Sequence, residues 1–293
     1  MKKITRDQVI YAMGKLNQPV IYVNPGETLI IETEDCFSHQ LVNSQDSIDK
    51  QVDFSKVNPA TGPIFINNTT PGDGLKIFIK RIELDKQGVT VTMKGLGVLG
   101  EEVKNSQVEI LPIKDNAIIF GGNKLNCRPM VGVIGVAPEK GEVPNNTPGD
   151  HGGNLDTLEV CAGSYIYLPV FVEGSYFAIG DIHATMGNGE VCGTGVECRS
   201  VVELTLDISK KYQWRIPVIE TEGDFYFVGS ASTIDEAVKK ATAEAVRFIE
   251  KTNNIPWNNA YMLASLATDV MISQAVNPLK TVRVRIPKKI LNL

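Results

Sequence analysis

Sustained helical periodicity is confined to one part of this chain of 293 residues, close to its C-terminus. Residues 234–251 carry apolar side chains at helical spacing. Thr233 can cap the start of this segment, with Glu236 at the third position completing a capping box. Pro256 suits the first turn of a second helix, which the pattern predicts through Ile272. Outside this helical pair, the order of the chain has to come largely from β-strands.

The rest of the chain consists of short runs rich in β-branched and aromatic residues, separated by turn signals. Residues 5–13 fit either a short helix or a strand. The runs predicted as strands are 20–23, 28–33, 63–66, 75–82, 105–113, 114–120, 130–136, 170–185 with a break near 173–174, 201–207, 214–220 and 280–286. We therefore predict an α+β fold that is mainly β. It has a sandwich- or jelly-roll-like β core in residues 1–212 and an α/β portion in residues 213–293, with two helices and a closing strand whose arginines point outward.

Charge and composition argue against several classes of protein. The net charge is −5, and Lys and Arg are spread along the chain, which does not favour binding to nucleic acid or to anionic membranes. No apolar run approaches the ~20 residues that a membrane-spanning helix needs, and the N-terminal residues lack the apolar segment of a signal peptide. Five cysteines without a Cys-x-x-Cys spacing fit a reducing compartment, so we expect a cytoplasmic protein with buried structural thiols.

Two of the three histidines lie in one glycine-rich stretch, each close to a carboxylate. His151 is followed by Asp156, and His183 is preceded by Asp181. Carboxylate oxygens and imidazole nitrogens within one segment suit a zinc-like cation, and glycine lets a small ligand approach the backbone closely. A solvated acidic hairpin with one surface histidine is the alternative that these residues leave open.

The spacing around His183 predicts a local geometry. Side chains two apart in a strand share a face, so Asp181 and His183 are predicted to point the same way. Asn188-Gly189 is a strong signal for a two-residue hairpin turn. In that register Glu190 joins the two side chains on one face, and Glu197 lies on the opposite face.

Motifs that resemble those of a known family are spread over nearly the whole chain. They are Asp53-Phe-Ser-Lys-Val-Asn-Pro59-Ala-Thr-Gly-Pro63, Arg128-Pro-Met-Val-Gly-Val-Ile-Gly135-Val-Ala-Pro138, His151-Gly-Gly-Asn-Leu-Asp156, Ala162-Gly163-Ser164, Tyr167-Leu-Pro169-Val, Gly180-Asp-Ile-His183-Ala, Gly189-Glu-Val-Cys-Gly-Thr194 and Val270-Met-Ile-Ser-Gln-Ala-Val-Asn-Pro278. Together they resemble the acetamidase/formamidase family of short-chain amide hydrolases. Many members read His-Ala-Ala-Gln-Gly-Asp-Gly-Glu where this chain has Thr185, Met186 and Asn188, a departure that bears on substrate preference.

The resemblance implies a hydrolase that cleaves the C–N bond of small linear amides, such as formamide or acetamide, to a carboxylate and ammonia. Metal-activated water is the predicted nucleophile, with zinc as the preferred divalent ion and calcium as the candidate for a second one. Residue chemistry at the matching positions assigns the roles. These are metal binding by His39, Asp181, His183 and His151, catalysis by Glu190 and Asp156, and substrate binding by Asn154, Gly180, Thr185 and Gly187. A small pocket lined by Gly180, Ala184 and Gly187 is expected, which would favour formamide, acetamide and propionamide over peptides and long acyl amides.

Two other functions remain open at this point. The first is a non-catalytic, metal-stabilised β-sandwich that binds a partner, in which the cation is structural and fully coordinated. The second is a metal-free amidase with Cys192 or Ser164 as its nucleophile. We also predict a homo-oligomer, a dimer or a higher even assembly, because the closing strand and the apolar second helix offer more surface than a small β core needs.

Overall fold

The structure, a computed structural model, describes residues 1–211 and 214–293. The predicted boundary between the two portions falls at Tyr212 and Gln213, which lie outside the described residues. The strands are β1 (Lys2–Ile4), β2 (Val9–Ile10), β3 (Ala12–Gly14), β4 (Ile21–Val23), β5 (Thr28–Thr33), β6 (Ala60–Ile66), β7 (Gly74–Leu84), β8 (Gln87–Thr92), β9 (Gln107–Pro112), β10 (Ala117–Phe120), β11 (Asn123–Asn126), β12 (Met130–Gly135), β13 (Glu142–Pro144), β14 (Gly152–Asn154), β15 (Tyr165–Pro169), β16 (Phe177–His183), β17 (Ser200–Ser209), β18 (Val218–Glu220), β19 (Asp224–Ala231), β20 (Asp269–Gln274) and β21 (Lys280–Pro287). The helices are α1 (Ile48–Gln51), α2 (Ile234–Asn253) and α3 (Trp257–Ala267), and short 3-10 turns occupy Phe54–Lys56, Gly100–Glu102 and Lys288–Ile290.

Two large sheets organise the described part of the chain. The larger has nine strands in the order β1-β5-β17-β7-β15-β18-β19-β21-β20. The smaller has the order β14-β12-β16-β6-β2, with β4 also paired to β6. Most neighbouring strands are antiparallel, whereas β1 with β5 and β4 with β6 are parallel. The larger sheet takes strands from both sides of the predicted boundary, and the division into two portions stays a prediction.

The two sheets share one apolar core, which makes the β part a sandwich. Strand β5 alternates buried with half-buried residues, so that Leu29 and Ile31 face inward. These side chains belong to the same core cluster as Ile64 on β6 and Ile179 and Ile182 on β16 of the smaller sheet. Burying both inner faces removes apolar surface from water, which is the main force that stabilises such a sandwich. The predicted fold class, mainly β with a helical C-terminal part, is confirmed.

The helical pair covers the far half of the larger sheet. The Thr233 side chain accepts a hydrogen bond from the Glu236 backbone N–H at 3.2 Å, as the predicted cap requires. Helices α2 and α3 pack against β18, β19 and β21 in a second apolar cluster. The second helix ends at Ala267 rather than Ile272, because residues 269–274 pair with the closing strand as β20. Among the described residues, no helix is long and apolar enough to cross a membrane.

Two other sequence expectations differ from the structure, and one open alternative is decided. The strand predicted over residues 170–185 is interrupted, because residues 170–176 form a loop in which Ser175 and Tyr176 have left-handed backbone. The segment 5–13, for which the sequence fits a helix or a strand, contains short strands. Arg283 of the closing strand is fully buried, not outward, because Glu159 pairs with its guanidinium.

Candidate metal and active site

The site forms where the end of β16 and the residues just after it pair with residues 196–197. Ala184 N–H donates to the Val196 carbonyl oxygen at 2.8 Å, and Val196 N–H donates to that of Thr185 at 2.9 Å. In this register His183 lies opposite Glu197. The prediction that Glu197 lies on the other face is therefore wrong.

The cause of this error lies just after the turn at residues 188–189. The turn itself forms, because Glu190 N–H donates to the Gly187 carbonyl oxygen at 3.2 Å. The chain then turns again, as Gly193 N–H donates to the Glu190 carbonyl oxygen at 2.8 Å, so no two-residue hairpin follows. The tip of the turn contacts the end of β20, some 85 residues away in sequence, through Gly189 N–H and the Ser273 carbonyl oxygen at 2.8 Å.

Five ionisable side chains meet here, and we call them the carboxylate–imidazole cluster: Asp156, Asp181, His183, Glu190 and Glu197. The His183 Nε2 atom lies 3.1 Å from Glu197 Oε2, 3.4 Å from Asp181 Oδ1 and 3.9 Å from Asp156 Oδ1. Every member is at most 6% exposed. Ion pairs buried this deeply require compensation of charge, since an unpaired buried carboxylate is very costly.

Backbone strain accompanies the cluster. Asp156, Asp181 and Glu190 all have positive φ, at 43°, 54° and 46°. Residues other than glycine rarely adopt this left-handed region, and such conformations concentrate at active sites and ligand-binding positions. The carboxylates are thus held in place at some cost to the fold.

Amide side chains from distant segments orient two of the carboxylates. Asn277, in the connection between β20 and β21, donates from Nδ2 to Asp156 Oδ2 at 2.6 Å. When the Asn154 amide is oriented to satisfy both of its ends, Nδ2 lies 3.1 Å from Asp156 Oδ1 and 3.0 Å from Asp181 Oδ2. Its oxygen then accepts from Asn277 and Asn58. Asn154, predicted to bind substrate, is therefore part of the network that holds the carboxylates.

The electrostatics of the cluster follow from burial and from the excess of carboxylates. Burial raises the pKa of Asp156 to about 6 and that of Glu197 to about 8, although His183 opposes both shifts. Burial and the Asp156 carboxylate raise the pKa of Glu190 well above its usual range. Burial alone would lower the pKa of His183, but Glu197 and Asp181 outweigh it and hold that pKa well above normal. Without further positive charge, the cluster can be neutral only by retaining protons.

The residues present fit a divalent cation in place of those protons. Two sets of side chains each offer three potential ligand atoms that lie within 4.8 Å of one another. The first set is Asp156, His183 and Glu190, and the second is Cys36, Asp181 and Glu197. His183 Nδ1 is buried without a hydrogen-bond partner among the described residues. Apart from the contact with the His183 ring, Asp181 Oδ1 and Glu197 Oε2 also lack such a partner there. Buried acceptor atoms of this kind suit a metal ion.

The other two histidines lie outside these groups. His39 Nδ1 is 3.4 Å from Asp35 Oδ2, and this pair forms a separate, partly exposed group with Glu34, which is itself paired with Arg199. The His151 ring is buried, and burial lowers its pKa to about 4. Neither ring joins the two ligand groups among the described residues, so their role as ligands remains a prediction of the sequence.

A cavity of about 690 Å³ adjoins the cluster, with Glu190 in its wall. Thr185 and Gly187, predicted to bind substrate, also line it. Gly180 does not, because a Cβ there would lie 2.2 Å from the Pro59 carbonyl oxygen. Ala184 is buried in a separate apolar cluster with Leu111, Ile118 and Val196 and does not line the cavity either. Of the three residues expected to line a small pocket, only Gly187 lines this cavity.

Sequence reasoning missed three members of the site. Glu197 was placed on the wrong face, and Cys36 was expected to be a purely structural thiol. Burial and the Glu197 carboxylate raise the pKa of Cys36 well above normal, so a thiolate there would depend on a cation. Asn277 had a signal in the C-terminal motif that resembles the family, but nothing in the local pattern links it to Asp156.

Comparison with known proteins agrees with the motifs and the fold. The model of the Acetamidase/Formamidase family matches residues 17–147 and 143–293, which is nearly the whole chain. The chain belongs to this family. The resemblance predicted from the motifs is confirmed, and so, at the level of the family, is the prediction of an amidase.

Solved members of the acetamidase/formamidase family have the same fold. An acetamidase from Bacillus halodurans is 39% identical with a TM-score of 0.96, over 98% of this chain and 97% of that chain. A predicted acetamidase/formamidase from Thermoanaerobacter tengcongensis is 41% identical with a TM-score of 0.96, over 99% and 96%. A formamidase from Methylophilus methylotrophus is 23% identical over 75% of this chain and 71% of that protein. The curated relatives are longer, and a match to one from Schizosaccharomyces pombe spans 64% of its length.

Proposed function

We propose that this chain hydrolyses the C–N bond of small linear amides to a carboxylate and ammonia, using a divalent metal held by the carboxylate–imidazole cluster. The observation that carries the proposal is the buried excess of carboxylates around His183, with acceptor atoms that lack hydrogen-bond partners within residues 1–211 and 214–293. Membership of the acetamidase/formamidase family supports the amide as substrate. A bound divalent ion would supply Lewis acidity and an activated water near neutral pH.

The residues of the chain divide the remaining work. Asp156, Asp181 and His183 would hold the ion, and Asn277 and Asn154 fix the two carboxylates by hydrogen bonds. A nitrogen ligand beside carboxylates suits zinc, and the thiol of the neighbouring group does so even more clearly. A second ion would have the group of Cys36, Asp181 and Glu197 available, and the thiol in this group favours zinc over the calcium that the sequence suggests.

Glu190 is the proposed proton carrier. Its carboxyl lies beside Asp156 and His183 and also lines the cavity, so it can contact a water and an amide nitrogen at the same time. It would accept a proton from the attacking water and deliver it to the departing nitrogen. Burial and the neighbouring Asp156 carboxylate raise the pKa of Glu190, which suits the step in which it releases a proton to the departing nitrogen.

Nothing in the described residues favours the alternative nucleophiles. The Ser164 hydroxyl donates to the Cys161 carbonyl oxygen at 2.8 Å, and the Cys192 thiol donates to that of Thr194 at 3.5 Å. In the described part of the chain no histidine forms a hydrogen bond with either group, whereas an activated serine or cysteine needs an adjacent base. The alternative of a non-catalytic binding module has no such structural test, and a measurement of amide turnover is needed to decide it.

The proposal is tested by metal analysis and ammonia release from formamide and acetamide. We expect about one or two divalent ions per chain, loss of activity on prolonged chelation, and recovery with zinc. His183→Ala should lose metal and activity together, and His39→Ala, the matched control outside the cluster, should keep both. Full activity in metal-free protein would refute the metal mechanism. Bound metal without ammonia release from either amide would favour the non-catalytic binding module. Loss of metal in His39→Ala but not in His183→Ala would place the metal site at His39 instead of the carboxylate–imidazole cluster.

The remaining predictions on assembly and location stay proposals. The five cysteines are all free, which is compatible with a reducing compartment. The expected partners are a small amide and further copies of the same chain.

A further inference from the structure

The cavity beside Glu190 is built by three elements around the site. Hairpin β8–β9 and hairpin β10–β11 form two walls, and residues 185–196 form the third. Glu190 and Thr185 belong to this third wall, so the cavity is continuous with the carboxylate–imidazole cluster. A molecule whose reacting group lies at Glu190 would extend its remainder into this space.

The side chains that line the cavity are largely apolar. Leu111 and Ile118 are buried at its inner part, and Met186 is 8% exposed. Towards the mouth, Phe120 and Leu125 keep 46% and 42% of their surface exposed. Large apolar side chains exposed around one concave surface mark a binding site for an apolar group, because leaving them in water is unfavourable.

The volume is far larger than formamide or acetamide requires. Pockets of roughly 300–1,000 Å³ enclose ligands of drug size, and this cavity has about 690 Å³. A one- or two-carbon amide would leave most of the apolar lining in contact with water. An acyl chain of about six carbons or an aromatic acyl group would cover the lining instead.

We infer that the site takes primary amides with an extended apolar acyl group, and that the cavity binds this group. The inference rests on the proposed hydrolysis. Water adds its oxygen to the amide carbon, the C–N bond breaks, and the nitrogen leaves as ammonia with a proton delivered through Glu190. The acyl group remains in the cavity until it leaves as the free carboxylate.

The first measurement compares hexanamide with acetamide on the metal-containing protein. One methylene in an apolar pocket changes kcat/KM by roughly tenfold or more, so hexanamide should exceed acetamide by at least about tenfold. Calorimetric binding should show a preference in the same direction. Acetamide turnover with no advantage for hexanamide in either measurement overturns the inference and leaves the proposed hydrolysis intact. Hexanamide binding without ammonia from any amide overturns the proposed hydrolysis and, with it, the inferred substrates, and leaves only a cavity that binds an apolar group.

The second measurement narrows the cavity. Leu125→Trp adds bulk at the partly exposed mouth, and the ratio of kcat/KM for hexanamide to that for acetamide should fall by at least about tenfold. Leu16→Trp, at a residue that is 87% exposed and outside the cavity, is the matched control and should leave the ratio unchanged. An unchanged ratio in Leu125→Trp overturns the inference. If light scattering then shows that Leu125→Trp dissociates an oligomer, the occupant is a second copy of the chain.

Discussion

Glu197 lies directly opposite His183 across two antiparallel segments, and Oε2 of the one is 3.1 Å from Nε2 of the other. The Glu197 carboxylate also accepts a hydrogen bond from Gly195 N–H at 2.9 Å through its other oxygen. One carboxylate thus orients the imidazole while its own position is fixed by backbone. Asp181 and Asp156 approach the same ring nitrogen, so Glu197 is a partner of His183 on the side of the ring that faces the proposed ion.

Glu197→Gln should therefore weaken metal binding without unfolding the chain. Loss of such a partner costs about 10–100-fold in metal affinity, and competition with a chelator would measure it. Glu203→Gln is the matched control, because Glu203 forms ion pairs with Lys80 and Arg81 on the larger sheet, away from the cluster. Equal metal affinity in the two variants would show that Glu197 does not contribute to metal binding.

Glu190→Gln should fold, retain metal and lose at least about 10²-fold in kcat, because it keeps the shape of the side chain and removes its base. Metal content and ammonia release on the same preparation would measure both effects. Loss of metal in this variant would make Glu190 a ligand, which its place beside Asp156 and His183 also permits. Near-normal turnover would eliminate its role in proton transfer.

Arg283 should be important for stability and for the position of the active-site turn. Its buried guanidinium pairs with Glu159 at 2.6 Å and donates to Asn188 Oδ1 at 2.8 Å, two residues before Glu190. Arg283→Met leaves Glu159 without its partner, which should lower the free energy of unfolding by about 3 kcal/mol and reduce turnover. Chemical denaturation measures the first effect and ammonia release the second.

The control for this variant lies on the same strand. Arg285 pairs with Asp224 and Asp269 and is 37% exposed, so Arg285→Met should cost no more than about 1 kcal/mol. Similar losses of stability in the two arginine variants would contradict the importance of burial at Arg283.

His151 should make the fold sensitive to acid. Burial lowers its pKa from the ordinary value of 6.5 to about 4, so between these values the unfolded chain binds a proton that the folded chain does not. The free energy of unfolding should therefore fall as the pH drops from about 6.5 to about 4, by up to ~3 kcal/mol from this group. Denaturation of native protein and His151→Gln across this range gives the difference. Parallel stability curves would show that His151 contributes nothing.

The outer face of α3 should form the contact in the predicted homo-oligomer. Met262 and Leu266 are 58% and 85% exposed, and Val270 and Ile272 on the edge strand β20 are also exposed. Such a patch favours association with a second copy. Light scattering at micromolar concentration should give a dimer or higher even oligomer for the native chain and a smaller species for Leu266→Glu. A native monomer would refute the prediction, and Leu16→Glu serves as the exposed-leucine control.

Local pattern was enough for several parts of this molecule. The strand at residues 28–33, the Thr233 cap of α2 and the position of the closing strand each depend on residues close together in sequence, and each occurs as predicted. The contact between Asp181 and His183 is of the same kind, because two positions on one strand meet without help from the rest of the chain. Motifs along the chain indicated the family, which hydrophobic periodicity alone does not indicate.

Tertiary structure decided what depends on distant partners. Residues 269–272 favour a helix by local pattern, yet they lie in β20 because β21 is available to pair with them. The same strand end bonds to the turn at Gly189, and the pairing of Ala184 with Val196 across the intervening loop brings Glu197 to His183. Arg283 is buried because Glu159 and Asn188, about 95 residues or more away, satisfy its guanidinium. Strand register and the burial of a charge are determined by contacts between segments that are distant in sequence. The spacing of residues within one segment contains no information about those contacts.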